Sequence, residues 1–139
     1  MLRPGGGVSL LSPAVTITTA VTGVSGVVAD VSGIRDLLLE AIFTYGSGGT
    51  TLKVWVQTRV KGGTWRDVAN FAFTTASGTK WHKITSSLAL AANQATSDAA
   101  LADNTIVDGF LGDEIKVKYT STGTYAGGTT IKILASTKC

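Results

Sequence analysis

Apolar and polar residues alternate with a period of two along much of the chain, and residues 34–73 read as three consecutive strands around which the rest is organised. Across 51–60, Leu52, Val54, Val56 and Thr58 fall on one side and Lys53, Trp55, Gln57 and Arg59 on the other. That is the pattern of a strand with one face in a core and the other in water. Read as a helix, the same stretch would scatter its apolar side chains around the axis, and its β-branched content also favours a strand. Further strands are predicted at 36–45 and 64–73, separated from it by glycine-bearing turns at 46–49 and 61–63, so two successive hairpins are expected. In the third strand Trp65, Asp67, Ala69, Phe71 and Phe73 alternate with Arg66, Val68, Asn70 and Ala72. Both sets are mixed, which predicts partial cover on both faces and a second layer of sheet.

Outside this centre, strands are predicted at 14–20, at 24–31 with a bulge or close approach at Gly26, at 80–85, at 113–120 and at 129–135. In 80–85 neither face is purely apolar, as expected of an edge strand or one with covered sides. In 113–120, Ile115, Val117 and Tyr119 point inward and Glu114, Lys116 and Lys118 outward; in 129–135, Ile131 and Ile133 oppose Lys132. Residues 86–108 hold enough alanine and leucine for a helix but lack amphipathic spacing. A long connection with at most a helical turn is expected there, and loops of that length tend to be functional or partner-bound. Residues 1–13, bracketed by Pro4 and Pro13 and carrying glycines 5–7, read as a flexible arm with Leu10 and Leu11 as apolar anchors. The expectation is one domain over 14–139: an all-β, antiparallel two-sheet sandwich of about eight strands, of jelly-roll type rather than an up-and-down barrel.

Composition sharpens this. Only 15% of the 139 residues are charged, against roughly 25% in ordinary soluble domains. A surface rich in Thr, Ser, Gly and Ala suits a protein whose exterior is occupied by partners, and equally a plain threonine-rich β-domain. The net charge of +3 is not gathered into any basic run, so no nucleic-acid partner is expected, although an acidic protein is permitted. No segment is long and apolar enough to span a bilayer, and the first residues lack the apolar core of a signal peptide, so a soluble chain is expected. Cys139 is the single cysteine and forms no internal disulfide.

Reactive chemistry is sparse. His82 is the sole histidine, which rules out a site of two or more imidazoles within one chain, and no serine sits in a Gly-x-Ser-x-Gly turn. Asp103, Asp108, Asp113 and Glu114 form a loose acidic group without the spacing of a calcium loop, and turn formation and the start of a strand explain them more simply. No catalytic residue, metal or cofactor is expected. Lys61-Gly-Gly-Thr-Trp65 resembles the Asp-box hairpin of sialidases with its acidic part replaced by Arg59 and Lys61, which argues for a tight hairpin pinned by Trp65. Trp55, Trp65 and Trp81 could form an aromatic platform for a sugar, or serve core and interface packing.

Two stretches, WVQTRVKGGTWRDVA at 55–69 and VDGFLGDEIKVKYTSTGTYAGGTT at 107–130, resemble small virion proteins of tailed phages, closest to the capsid cement, or decoration, proteins with a jelly-roll fold. The resemblance runs from about residue 14 to the end and rests on overall pattern. It implies a dimer or other small homo-oligomer, made in the host cytoplasm, that sits outside an icosahedral shell and clamps neighbouring copies of the major capsid protein. Exposure and charge, not family residues, nominate the contacts: Leu2, Arg3, Leu10 and Leu11 in the arm, and Arg59, Lys61, Trp65 and Arg66 around the second hairpin, facing acidic capsid surface. A carbohydrate- or receptor-binding sandwich and a phage tail or neck protein are the alternatives.

Overall fold

The computed structural model describes residues 7–9, 14–86, 98–107 and 111–138, and every regular element among them is a strand. In chain order these are β1 (Gly7–Ser9), β2 (Val15–Thr16), β3 (Val21–Ser25), β4 (Ala29–Asp30), β5 (Asp36–Thr44) and β6 (Ser47–Gly48). They continue as β7 (Thr51–Arg59), β8 (Arg66–Phe73), β9 (Gly78–Thr85), β10 (Glu114–Thr122), β11 (Tyr125–Ala126) and β12 (Thr130–Lys138). The first sheet runs β1/β2, β12, β5, β9; the second runs β3/β4, β10, β7, β8; β6 and β11 form a two-stranded ribbon. Every ladder is antiparallel.

β1 and β2 share one edge of β12, and β3 and β4 share one edge of β10, so the two sheets contain eight strand positions. They pair in a nested order: first with eighth, second with seventh, third with sixth, fourth with fifth. The chain is folded back on itself at the 60–65 turn and then rolled, so its ladders join residues far apart in sequence.

Alternation builds the core. Leu37, Leu39, Ala41 and Phe43 of β5 and Ile131, Ile133 and Ala135 of β12 are buried, as are Leu52, Val54 and Val56 of β7 and Ile115, Val117 and Tyr119 of β10, all within one cluster. The assignments inferred for 113–120 and 129–135 hold in the structure. One end of the sandwich is plugged by Tyr125, which is packed edge-on to Phe43 and Tyr45 and donates its hydroxyl to the Thr74 carbonyl at 2.8 Å. Its ring lies where a Cβ on Gly49 would be, 2.3 Å away, and Gly49 has φ +70°, so glycine is required twice over at that position.

Three expectations are corrected. β5 and β7 do not form a hairpin: β5 is flanked by β12 and β9 in the first sheet, while β7 lies between β10 and β8 in the second. The glycines at 46–49 do turn the chain, but across the sandwich, and Ser47–Gly48 pairs with β11 on the way. Second, the ladder between β7 and β8 shifts register between Val56 and Gln57, so Val68 is an extra residue in β8. A one-residue shift moves the side chains beyond it to the opposite face. Asp67 therefore lies opposite Gln57 on the outer face instead of joining Phe71 and Phe73 in the core. Third, the outer face of β7 is not wet, because Trp55 and Gln57 are buried.

Gly7–Ser9, expected in the arm, pairs with β12. Leu2, Arg3, Leu10 and Leu11, like residues 87–97 of the long connection, lie outside the described residues. Residues 98–107 of that connection contain no helix. Gly26 does mark an interruption: its N–H bonds the Val117 carbonyl at 2.7 Å between the separate ladders of β3 and β4.

Candidate interaction site

Residues 98–107 form a strap over the outer face of the second sheet, and Asp67 is its anchor. The Asp67 carboxylate, 1% exposed, accepts hydrogen bonds from the backbone N–H groups of Ala99 (2.9 Å), Ala100 (2.9 Å) and Leu101 (3.0 Å) and from Gln57 Nε2 (2.9 Å). These offset the cost of Ala99 at φ +55°, a conformation that alanine resists. Trp55 Nε1 donates to the Leu101 carbonyl at 3.1 Å, and Asp98 accepts from Gln57 Nε2 at 2.6 Å and Lys118 Nζ at 3.0 Å. Lys53 pairs with Asp103 at 3.1 Å.

The strap also closes the outer edge of β8. Val107 N–H bonds the Val68 carbonyl at 2.8 Å, Asn70 N–H bonds the Thr105 carbonyl at 2.9 Å, and Ala72 N–H bonds Asn104 Oδ1 at 3.0 Å. From across the sandwich His82 Nε2 donates to the Asn70 carbonyl at 2.8 Å, and Lys80 Nζ donates to the Ala72 carbonyl. His82, with its ring 4.6 Å from that of Phe71, is thus a structural tie between the sheets.

Hydrogen bonds from Gln57 and then from Lys118 hold the Asp98 carboxyl below the usual carboxylate range. A depressed folded value means that the contact stabilises fully above the unfolded value of about 4 and is lost as pH falls through the folded one. Protection of the Ala99, Ala100 and Leu101 amides against hydrogen exchange is expected to fall as the pH drops below about 4. Asp98→Asn should show reduced protection already at neutral pH; protection indifferent to both changes would remove Asp98 from the anchor.

Of the residues nominated around the second hairpin, Arg59 and Trp65 meet on this outer face. Trp65 is gripped by the Arg59 guanidinium, 4.5 Å from the ring centroid, and the Lys116 ammonium at 4.8 Å. Arg59 is already paired with Glu114 at 2.8 Å, and the Lys61 N–H is bonded to Asp113 Oδ2 at 3.0 Å. Arg66, whose face the bulge reverses, is opposite the buried Thr58 and half-buried. Lys116 was not among the expected contacts. Burial, then Lys118 and Arg59 nearby, push its ammonium below the usual lysine range. Its outward position in β10 was legible, but its place over Trp65 depends on the bulge.

The other outer face is different. Trp81 of β9 is 57% exposed and Leu38 of β5 is 39% exposed. Trp81 lies opposite Glu40, and Leu38 lies opposite Lys83, one diagonal step away, close enough for side chains to meet. Half-buried Ile42 and Leu134 extend this apolar surface across the sheet. The three tryptophans do not form a platform: Trp55 is beneath the strap, Trp65 is gripped by two cations, and Trp81 is on the opposite sheet.

Comparison with protein-family models, curated proteins and solved structures finds no significant match. The functional reading therefore rests on the geometry of the molecule itself.

β9 is the edge of the first sheet, as anticipated for 80–85. Ser86 N–H bonds the Arg35 carbonyl at 2.8 Å, one step beyond the Asp36–Thr85 pair, so the even-numbered residues of β9 bond inward to β5. The outward N–H and C=O groups then belong to Thr79, Trp81, Lys83 and Thr85. Among the described residues those of Thr79, Trp81 and Lys83 meet no partner. A nearby depression of about 410 Å³ offers little chemistry, because Lys80 is bonded to Ala72 and Asn104, Asp103 to Lys53, and Ser77 Oγ accepts from Tyr45 N–H.

Proposed function

We propose that this chain is a structural, non-enzymatic virion protein that binds the outside of an assembled phage capsid and bridges major capsid subunits. The observation that carries the proposal is the contrast between the two outer faces. One is covered by the protein's own strap and ion pairs, while the other presents Trp81 and Leu38 together beside an edge on which the outward groups of Thr79, Trp81 and Lys83 are unpaired among the described residues. An exposed apolar pair on a sheet face, beside an open edge, fits a surface that receives a partner. Val24, Val27, Val28, Val60 and Ile106 are also exposed, but they are spread over β3, the bend between β3 and β4, the 60–65 turn and the strap.

The nested order of eight strand positions supports the jelly-roll reading, since that fold is an eight-strand, two-sheet arrangement built from Greek keys. A module that recognises only the assembled shell stabilises it by mass action, with each copy contributing an interface of roughly 800 Å² per partner. Self-association into a small oligomer would multiply the contacts made per particle.

Co-sedimentation tests the proposal. Saturable binding to assembled empty shells is expected, with little binding to unassembled capsid subunits. The double change Leu38→Asp and Trp81→Asp should lower occupancy by more than about tenfold, the effect of placing unpaired charge in a buried interface, with the circular dichroism unchanged. Equal occupancy by the variant, or no binding to shells, would overturn it.

A further inference from the structure

We infer that the open edge of β9 takes an extended segment of a partner protein as an added strand, one that brings a carboxylate to Lys83 and an apolar side chain to Trp81. The capsid role proposed above supplies only the identity of that partner.

Of the four outer sheet positions, two are split into short segments, β1/β2 and β3/β4. The third, β8, has its outward groups taken up by the strap and by His82 and Lys80. The fourth, β9, is eight residues long and unbroken, and the outward groups of Thr79, Trp81 and Lys83 are unpaired among the described residues. Unpaired edges are templates for strand addition, and proteins commonly guard them with lysine. Here Lys80 is turned away to Ala72 and Asn104, which leaves Lys83 beside an exposed tryptophan, with Glu40 of β5 one diagonal step away and no ion pair between them.

Charge selects the occupant. β9 carries Lys80, His82 and Lys83 and no carboxylate. Lys83 lies opposite Leu38 in the ladder and forms no ion pair among the described residues. A second copy of β9 would set these basic residues against the same set, whereas a strand alternating acidic and apolar residues would answer both Lys83 and Trp81.

The full-length protein, isotopically labelled, can be titrated with a hexapeptide alternating valine and glutamate and with its valine–lysine counterpart. Amide shifts at Thr79, Trp81 and Lys83 are expected with the acidic peptide, which should bind at least about tenfold more tightly than the basic one. Lys83→Pro removes an outward N–H without a ladder bond and should weaken binding about five- to tenfold. Absence of shifts at these three amides in the unaltered protein overturns the proposal whether or not the proline variant folds. So does protection that grows with the protein's own concentration, which would mark a second copy as the occupant. Peptide binding without shell binding would sink the capsid reading alone; shell binding with these amides untouched by peptide would sink the edge alone.

Discussion

Asp67→Ala is expected to destabilise the protein by about 3 kcal/mol and to release the strap. A buried carboxylate bonded to three backbone N–H groups and one amide leaves two routes on its removal. Either those donors stay buried at about 1–3 kcal/mol each, or the strap lifts into water and uncovers Trp55 and Gln57. The cheaper route sets the cost, so the effect stays below the sum of four bonds. Asp67→Asn is the informative control, because it keeps one acceptor oxygen and turns an NH₂ toward donors. It should cost nearly as much, about 2 kcal/mol, if the charge and both oxygens matter. Urea unfolding gives the energies, and the Trp55 emission reports whether the strap has lifted. Asp67→Asn at no measurable cost would mean that the strap is held by other contacts.

Phe43→Ala is expected to cost more, about 4 kcal/mol. Phe43 is 1% exposed, stacked on Phe73 with ring centroids 4.9 Å apart and edge-on to Tyr125 at 5.9 Å. It thus joins the first sheet to the second and to the ribbon that plugs one end. The space left by its ring would be walled by the rings of Tyr45, Phe73 and Tyr125. Phe43→Leu should cost about half as much, because more of the volume is kept. Thermal denaturation of both variants checks this; a loss under about 1 kcal/mol for the alanine variant would mean that this end of the core repacks freely.

The strands themselves were legible because one face of each is buried: the alternation in 51–59, 114–119 and 130–135 determines inward and outward residues without reference to neighbours. Which strands pair was less so. A glycine turn such as 46–49 signals reversal, but nothing local tells whether the chain returns beside its own strand or crosses to the other sheet. The bulge at Val68 was hidden for a related reason, since an extra residue becomes visible only against its partner strand, and the faces of Asp67 and Trp65 depend on it. The burial of Trp55 and Gln57 required a segment some forty residues later in the chain, so alternation alone made their face look wet. Trp81 could be picked out from its neighbours Lys80 and His82 by parity, but its exposure could not, because the sequence leaves open what covers an edge.

The same physics separates the two sides of the molecule. Along β8 the Val68 carbonyl and the outward N–H and carbonyl groups of Asn70 and Ala72 are matched, whereas on β9 those of Thr79, Trp81 and Lys83 meet no partner among the described residues and lie beside an exposed indole. One edge left unpaired among the described residues while the other is sealed fits the proposed partner-binding role.

The most direct measurement is a reconstruction of an assembled shell incubated with the purified protein, at a resolution that distinguishes the two sheets. The proposed role places Trp81 and Leu38 against the capsid surface, β9 beside a capsid strand, and the 98–107 strap turned away. A shell without added density, or one in which the strap faces the capsid and Trp81 faces solvent, would contradict it.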